Sequence, residues 1–158
     1  MKTLVIYYSA QNHTRTIAEK IAKNLGADLY EITPEIPYSE EDLDWMSPNA
    51  RCLKEHDDES LRDIKLVNTE IENWDGYERV IICYPIWWGI AAWAVNSFIK
   101  TKNFGNKIVI PVAVSHSSPL DESGKLLEKD AGSGEWKEGI RFYQDASDDE
   151  IKTWTDSL

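Results

Sequence analysis

The stretch Ser9-Ala10-Gln11-Asn12-His13-Thr14 sets two hydroxyls, two amides and an imidazole between an apolar run, Leu4 to Tyr8, and a helical pattern. Small polar side chains at such a junction, together with backbone N–H groups at a helix start, can converge on one anion. Two further segments carry complementary chemistry. Pro85-Ile86-Trp87-Trp88-Gly89 offers two adjacent indoles after a second apolar run, and Ser115-His116-Ser117-Ser118 offers small polar groups after a third. Paired indoles at a loop tip form a sticky patch unless something flat covers them. Phosphate at one loop and a planar ring at the next describe a mononucleotide-like ligand. Neither G-x-G-x-x-G nor G-x-x-x-x-G-K-[ST] occurs, which argues against a dinucleotide fingerprint or an NTPase loop.

The elements that must position these loops alternate along the chain. Leu4 to Tyr8, Arg79 to Tyr84 and Lys107 to Val114 are near-continuous apolar runs, the mark of strands covered on both faces. Shorter strands are predicted over Ala27–Thr33, alternating around Leu29 and Ile32, and over Trp136–Tyr143. Ile17, Ala18, Ile21, Ala22 and Leu25 recur at helical spacing until Gly26 stops the pattern. Pro85 should end its strand, after which Ile90, Trp93, Ala94, Ser97 and Phe98 trace a helix face. Ser118-Pro119 reads as an N-cap followed by proline at the first helical position, with Leu126 and Leu127 on that helix. Ser147 to Glu150 is a capping box opening a last helix that carries Ile151, Trp154 and Leu158. Pro111 removes a ladder donor from its strand and predicts a bulge or a gap in pairing.

Five strands alternating with about five helices define an α/β domain: a doubly wound, five-stranded parallel sheet with helices on both faces, over residues 1–158. In such a sheet ligands bind beyond the carboxyl ends of the strands, where strand order reverses. All three polar or aromatic loops leave from those ends.

The chain has 158 residues and a net charge of −11, and it contains no basic stripe, which disfavours nucleic acid as a partner. No segment reaches a membrane-spanning length, and Met1-Lys2 leads straight into a strand without room for a signal peptide. Cys52, in a polar segment, and Cys83, in a strand core, lack metal-ligand spacing and read as reduced thiols of a cytoplasmic protein. The three histidines are scattered, which speaks against a structural metal. From Ser39 to Asp63 nine acidic residues face three basic ones, either a solvated face or a surface that steers basic partners. Trp45 and Trp93 fit a core or an interface equally well.

Y-Y-S-A-Q-N-H-T-R-T-I-A, Y-P-I-W-W-G and S-H-S-S-P together resemble the three flavin loops of flavodoxins, in particular bacterial flavodoxin-like proteins with a P-I-W-W-G loop. The resemblance spans essentially the whole chain, and W-W-G is its most specific part. It implies FMN as cofactor, with the phosphate held by Ser9, Gln11, Asn12, His13 and Thr14. The family pattern is S-x-T-G-N-T; here Gln11 replaces threonine, Asn12 replaces glycine and His13 replaces asparagine. Asn tolerates the left-handed backbone that glycine would otherwise supply. A phosphate beside His13 would favour its charged form. Pro85, Ile86, Trp87, Trp88 and Gly89 would wrap the isoalloxazine, Gly89 leaving its peptide free to reorient as the ring gains a proton. Ser115, His116 and Ser117 would flank the pyrimidine side.

The resemblance implies low-potential electron transfer with a basic redox partner protein, and no residue catalytic in the acid–base sense. The alternative on this scaffold is an NAD(P)H-dependent FMN oxidoreductase acting on a small-molecule acceptor, with His116 as a proton donor. A third reading is an interaction domain that kept the fold without the flavin.

Overall fold

The computed structural model describes residues 1–158. Strand β1 (Thr3–Tyr7) leads into helix α1 (His13–Leu25), and edge strand β2 (Asp28–Glu31) returns parallel to β1. A long excursion then carries two short helices, α2 (Glu40–Leu43) and α3 (Arg51–Asp57), before β3 (Arg79–Trp87). Next come β4 (Ile90–Ala91), α4 (Trp93–Ile99), β5 (Ile108–Ser115), α5 (Ser123–Ala131), β6 (Glu135–Trp136), β7 (Ile140–Tyr143) and α6 (Asp148–Asp156). The sheet order is β2-β1-β3-β5-β6, with β7 also pairing β5, and every pairing among these strands is parallel. The order reverses between β1 and β3, so the crevice lies above those two strands.

Alternation of side chains divides the core in two. Val5, Tyr7, Ile81, Cys83, Val112 and Val114 face α1 and α6. Leu4, Ile6, Val80, Ile82, Val109 and Ala113 face α4 and α5. Both faces of the central strands are therefore dry, as their continuous apolar sequence requires. Helix α1 buries Ile17, Ala18, Ile21 and Ala22, and Gly26 ends it at φ 59°. The predicted capping box at α6 is present: Ser147 Oγ accepts from Glu150 N–H, and Glu150 accepts from Ser147 N–H.

Several expected boundaries move, each for an identifiable reason. Strand β3 does not end at Pro85. It runs to Trp87 and folds back as a hairpin, with Ile86 opposite Ala91 and Trp87 opposite Ile90, so Ile90 lies on a strand and α4 starts at Trp93. Pro85 still pairs with Val114 of β5, and it is tolerated because its missing donor faces the other side, where β1 has ended at Tyr7. Ser118 does not cap a helix: Asp121 adopts φ 45°, and α5 begins at Ser123, where a Tyr84–Ser123 hydroxyl contact of 2.9 Å fixes the turn. Leu29 is exposed because β2 is a short edge strand, only Asp28–Glu31. Leu158 lies past the end of α6 and is exposed as well.

The gap predicted at Pro111 exists and splits the last strand. The Ile108 N–H donates to Glu78 on the β3 side, whereas the Val109 carbonyl accepts from Lys137 on the outer side. Two residues on, Pro111 therefore turns its missing donor toward the outer strand. Pairing there stops after Val109–Trp136 and resumes at Val112–Ile140, dividing Trp136–Tyr143 into β6 and β7.

Candidate functional site

At the carboxyl ends of β1, β3 and β5 the three loops enclose one open cavity of about 440 Å³, within the range of small-ligand sites. Gln11, His13 and Thr14 line it from the first loop, Pro85, Ile86, Trp87 and Trp88 from the second, and Ser115, His116 and Ser117 from the third. Ser9, Asn12 and Gly89 belong to the same loops but do not line the cavity.

The first loop is built around Asn12, whose φ of 67° turns the chain into α1 in the left-handed conformation. The Asn12 carbonyl takes the Thr16 N–H and hydroxyl, so the loop is tied to the first helical turn. The N–H groups of Gln11, Asn12, His13 and Thr14 donate to no protein carbonyl. Ser9 Oγ is buried and has no partner. Buried hydroxyls are nearly always paired, so this orphan among free N–H groups marks a place for an acceptor oxygen. Arg15 is turned away, its guanidinium 2.7 Å from Glu31 at the outer edge.

The second loop is the β3–β4 hairpin. A two-residue loop of the I′ kind needs positive φ at both positions, and Trp88 (48°) and Gly89 (82°) supply it. A bulky residue in that region is strained, and packing holds it there. His56 stacks on Trp88 at 4.2 Å with 6° between planes, and Trp93 lies on the indole at 5.9 Å and 11°. Trp87 is gripped edge-on by Tyr8, Tyr38 and Trp93 at 6.0, 5.1 and 5.1 Å. Trp93 is thus core, whereas Trp45 is exposed at the cavity rim.

In the third loop the Ser115 hydroxyl donates to the Ser118 carbonyl, closing its own turn instead of offering a proton to a ligand.

Leu43, Trp45 and Cys52, all from the acidic excursion, and Gln144 after β7 also line the cavity. Sequence reading missed them because they carry no motif and their elements are short. Cys52 is buried although its segment is polar, and burial raises its thiol pKa. Cys83 is raised for the same reason.

Several phenols of the fold are buried or half-buried. Tyr38 titrates well above the ordinary tyrosine range, first through burial and then through its hydrogen bond to Glu55. Burial alone dominates at Tyr8 and Tyr84. Tyr7 is pushed up to about 12, by burial and then Glu31, and Tyr77 to about 12, by its hydrogen bond to Asp28 and then burial. The unfolded chain releases these protons near pH 10 while the fold retains them, so the unfolded state binds fewer protons above that point. Stability should be intact below pH 10 and fall as pH rises from 10 through 12, checked by urea midpoints at several alkaline pH values. A flat profile would contradict the burial of these phenols.

The sequence matches the flavodoxin family model over residues 2–158. A protein assigned as a flavoprotein from Bacteroides eggerthii is 36% identical, with 99% of this chain and 97% of that chain aligned at a TM-score of 0.87. A second such protein, from Bacteroides uniformis, is 33% identical over 98% and 97% of the two chains, with a TM-score of 0.89. A Lactobacillus acidophilus flavoprotein solved in complex with FMN shares the fold at 20% identity and TM-score 0.72, with 98% of each chain covered. No curated protein matches the sequence. A doubly wound sheet with its cavity at the switch point defines the class, an α/β mononucleotide-type fold. Within that class the chain belongs to the flavodoxin family.

Proposed function

We propose that the protein binds FMN in this cavity and serves as a low-potential electron carrier. The observation that carries the reading is the buried, unpartnered Ser9 hydroxyl beside the free N–H groups of Gln11 to Thr14, in a loop whose Gln11, His13 and Thr14 share one cavity with two indoles. Ser9, Gln11, Asn12, His13 and Thr14 would hold the phosphate, with Asn12 replacing glycine through its left-handed backbone. Pro85, Ile86, Trp87, Trp88 and Gly89 would wrap the ring, one indole stacking on it, and Ser115, His116 and Ser117 would border the pyrimidine side. The FMN complex of the Lactobacillus acidophilus relative supports the same choice of cofactor. When bound, the flavin supplies the electron chemistry. The protein's part is to hold the ring, exclude water from its buried face and set its potential. A net charge of −11 opposes adding negative charge to the ring, which lowers the potential.

The partner we propose is a protein with a basic surface. Glu40, Glu41, Asp42 and Asp44 take part in none of the ion pairs, and they stand next to the rim residues Leu43 and Trp45. A reduced cytoplasmic setting suits two free, buried thiols, and no helix is long and apolar enough to cross a membrane. Turnover with NAD(P)H and a small acceptor is the second reading, supported by the open cavity and by His116 on its wall.

The purified protein should show flavin absorption bands and release FMN on denaturation. A colourless protein that also fails to take up added FMN overturns both redox readings. Steady NAD(P)H oxidation would favour the second over the first.

A further inference from the structure

Glu55 belongs to the acidic excursion, yet it is only 6% exposed and does not line the cavity. A buried carboxylate is costly unless its oxygens are fully bonded, and here both are. Oε1 accepts from Tyr38 Oη at 2.5 Å and from Trp93 Nε1 at 3.1 Å, and Oε2 accepts from Arg51 Nε at 3.2 Å. Arg51 also covers the Tyr38 ring at 3.8 Å and donates to the Ile36 carbonyl. Arg62 ties the same turn down through the Glu55 and His56 carbonyls and lies over the Trp93 ring at 4.7 Å.

The two rings that Glu55 holds are two of the three that grip Trp87, both at 5.1 Å and near-perpendicular. One of them, Trp93, also lies parallel to Trp88, on which His56, the next residue along α3, stacks. We infer that Glu55 is a positioning residue for the aromatic wall of the cavity: one carboxylate fixes Tyr38 and Trp93, and through them both indoles of the hairpin. On this view the excursion contributes the jig for the ring site as well as surface charge. The inference rests on the FMN reading for its consequence, but the wall itself can be read without flavin.

The test compares Glu55→Leu, which removes all three acceptor contacts, with Glu55→Gln, whose amide oxygen can still accept from Tyr38 and Trp93. Near-ultraviolet circular dichroism of the apoprotein reads the packing of the stacked indoles. FMN affinity and the visible circular dichroism of the bound flavin read the wall with ligand. Glu55→Leu should lose most of the near-ultraviolet signal of the indoles and bind FMN at least tenfold more weakly. Glu55→Gln should stay within about threefold of the native protein.

Ile151→Ala, in the core against the opposite sheet face, gives a destabilised control. It should leave both dichroism signatures and the FMN affinity unchanged. Should Glu55→Leu fail to fold, Tyr38→Phe removes one arm without deleting an indole, and it should shift the indole signal. An unaltered indole signal in Glu55→Leu or Tyr38→Phe, or an equal loss of affinity in Ile151→Ala, overturns the inference. If the native protein takes up no FMN, the functional reading fails while the apoprotein measurement still decides the role of Glu55.

Discussion

Gly139→Ala is expected to destabilise the protein by about 3 kcal/mol, the upper end for overpacking, seen as a large fall in urea midpoint. A Cβ at this position would stand 2.0 Å from the Pro111 carbonyl oxygen and 2.7 Å from its ring. Backbone and a proline ring cannot rotate out of the way as a flexible side chain would. The chain between β6 and β7 passes so close because the missing donor of Pro111 leaves nothing there to pair with. Gly26→Ala is the informative contrast. It has open space around the added methyl but a φ of 59°, so its expected cost is only about 1 kcal/mol of left-handed strain. Equal losses at the two positions would refute the steric account. The effect should extend to the cavity, because Gln144 follows β7 and is anchored by its N–H to the Ser115 carbonyl.

FMN should bind the apoprotein at least about 100-fold more tightly than riboflavin, which carries the same ring and ribityl chain without the phosphate. Charge-assisted hydrogen bonds contribute roughly 1.5–3 kcal/mol each, so two of them already supply about that factor. The loop offers more than two donors: the free N–H groups after Ala10 and the unpaired Ser9 hydroxyl. Ser9→Ala should narrow the ratio about tenfold by weakening FMN alone, leaving riboflavin unchanged, as titrations of flavin fluorescence would record. Equal affinity for the two flavins would place the phosphate elsewhere and remove the role assigned to Ser9, Gln11, Asn12, His13 and Thr14.

The sheet was legible because Leu4–Tyr8, Arg79–Tyr84 and Lys107–Val114 bury both faces, which leaves an apolar signature no exposed segment imitates. Helices α1 and α6 were legible through Gly26 and the Ser147–Glu150 box, local signals that tertiary contacts did not override. The split at Pro111 was legible too, since a missing donor must show somewhere in a ladder. The hairpin at Trp87–Ile90 was not, because its turn uses Trp-Gly where Asn-Gly or Asp-Gly would announce itself. Its left-handed Trp88 is held by His56 and Trp93, which lie far apart in sequence. The start of α5 was missed because Ser118-Pro119 imitates a cap, while the real turn depends on Asp121 and on Tyr84 from another strand.

At the site, the three loops announced themselves by composition. The contribution of Leu43, Trp45, Cys52 and Glu55 did not, since nothing in a run of charges separates a buried carboxylate from a solvated one. Among nine acidic residues of that run, Glu55 is the one that the fold takes inside.

The Pro34–Leu66 bridge, with Glu35 N–H on Lys65 and Val67 N–H on Thr33, draws the two ends of the excursion together at its neck. A segment pinched off in this way can gain or lose residues without shifting the register of β1, β2 or β3. Doubling the length of such a closed loop costs only about 0.6 kcal/mol. Descendants of this chain are therefore free to vary the stretch between Ser39 and Asn49 while keeping the sheet, so divergence in what approaches the pocket mouth should concentrate there.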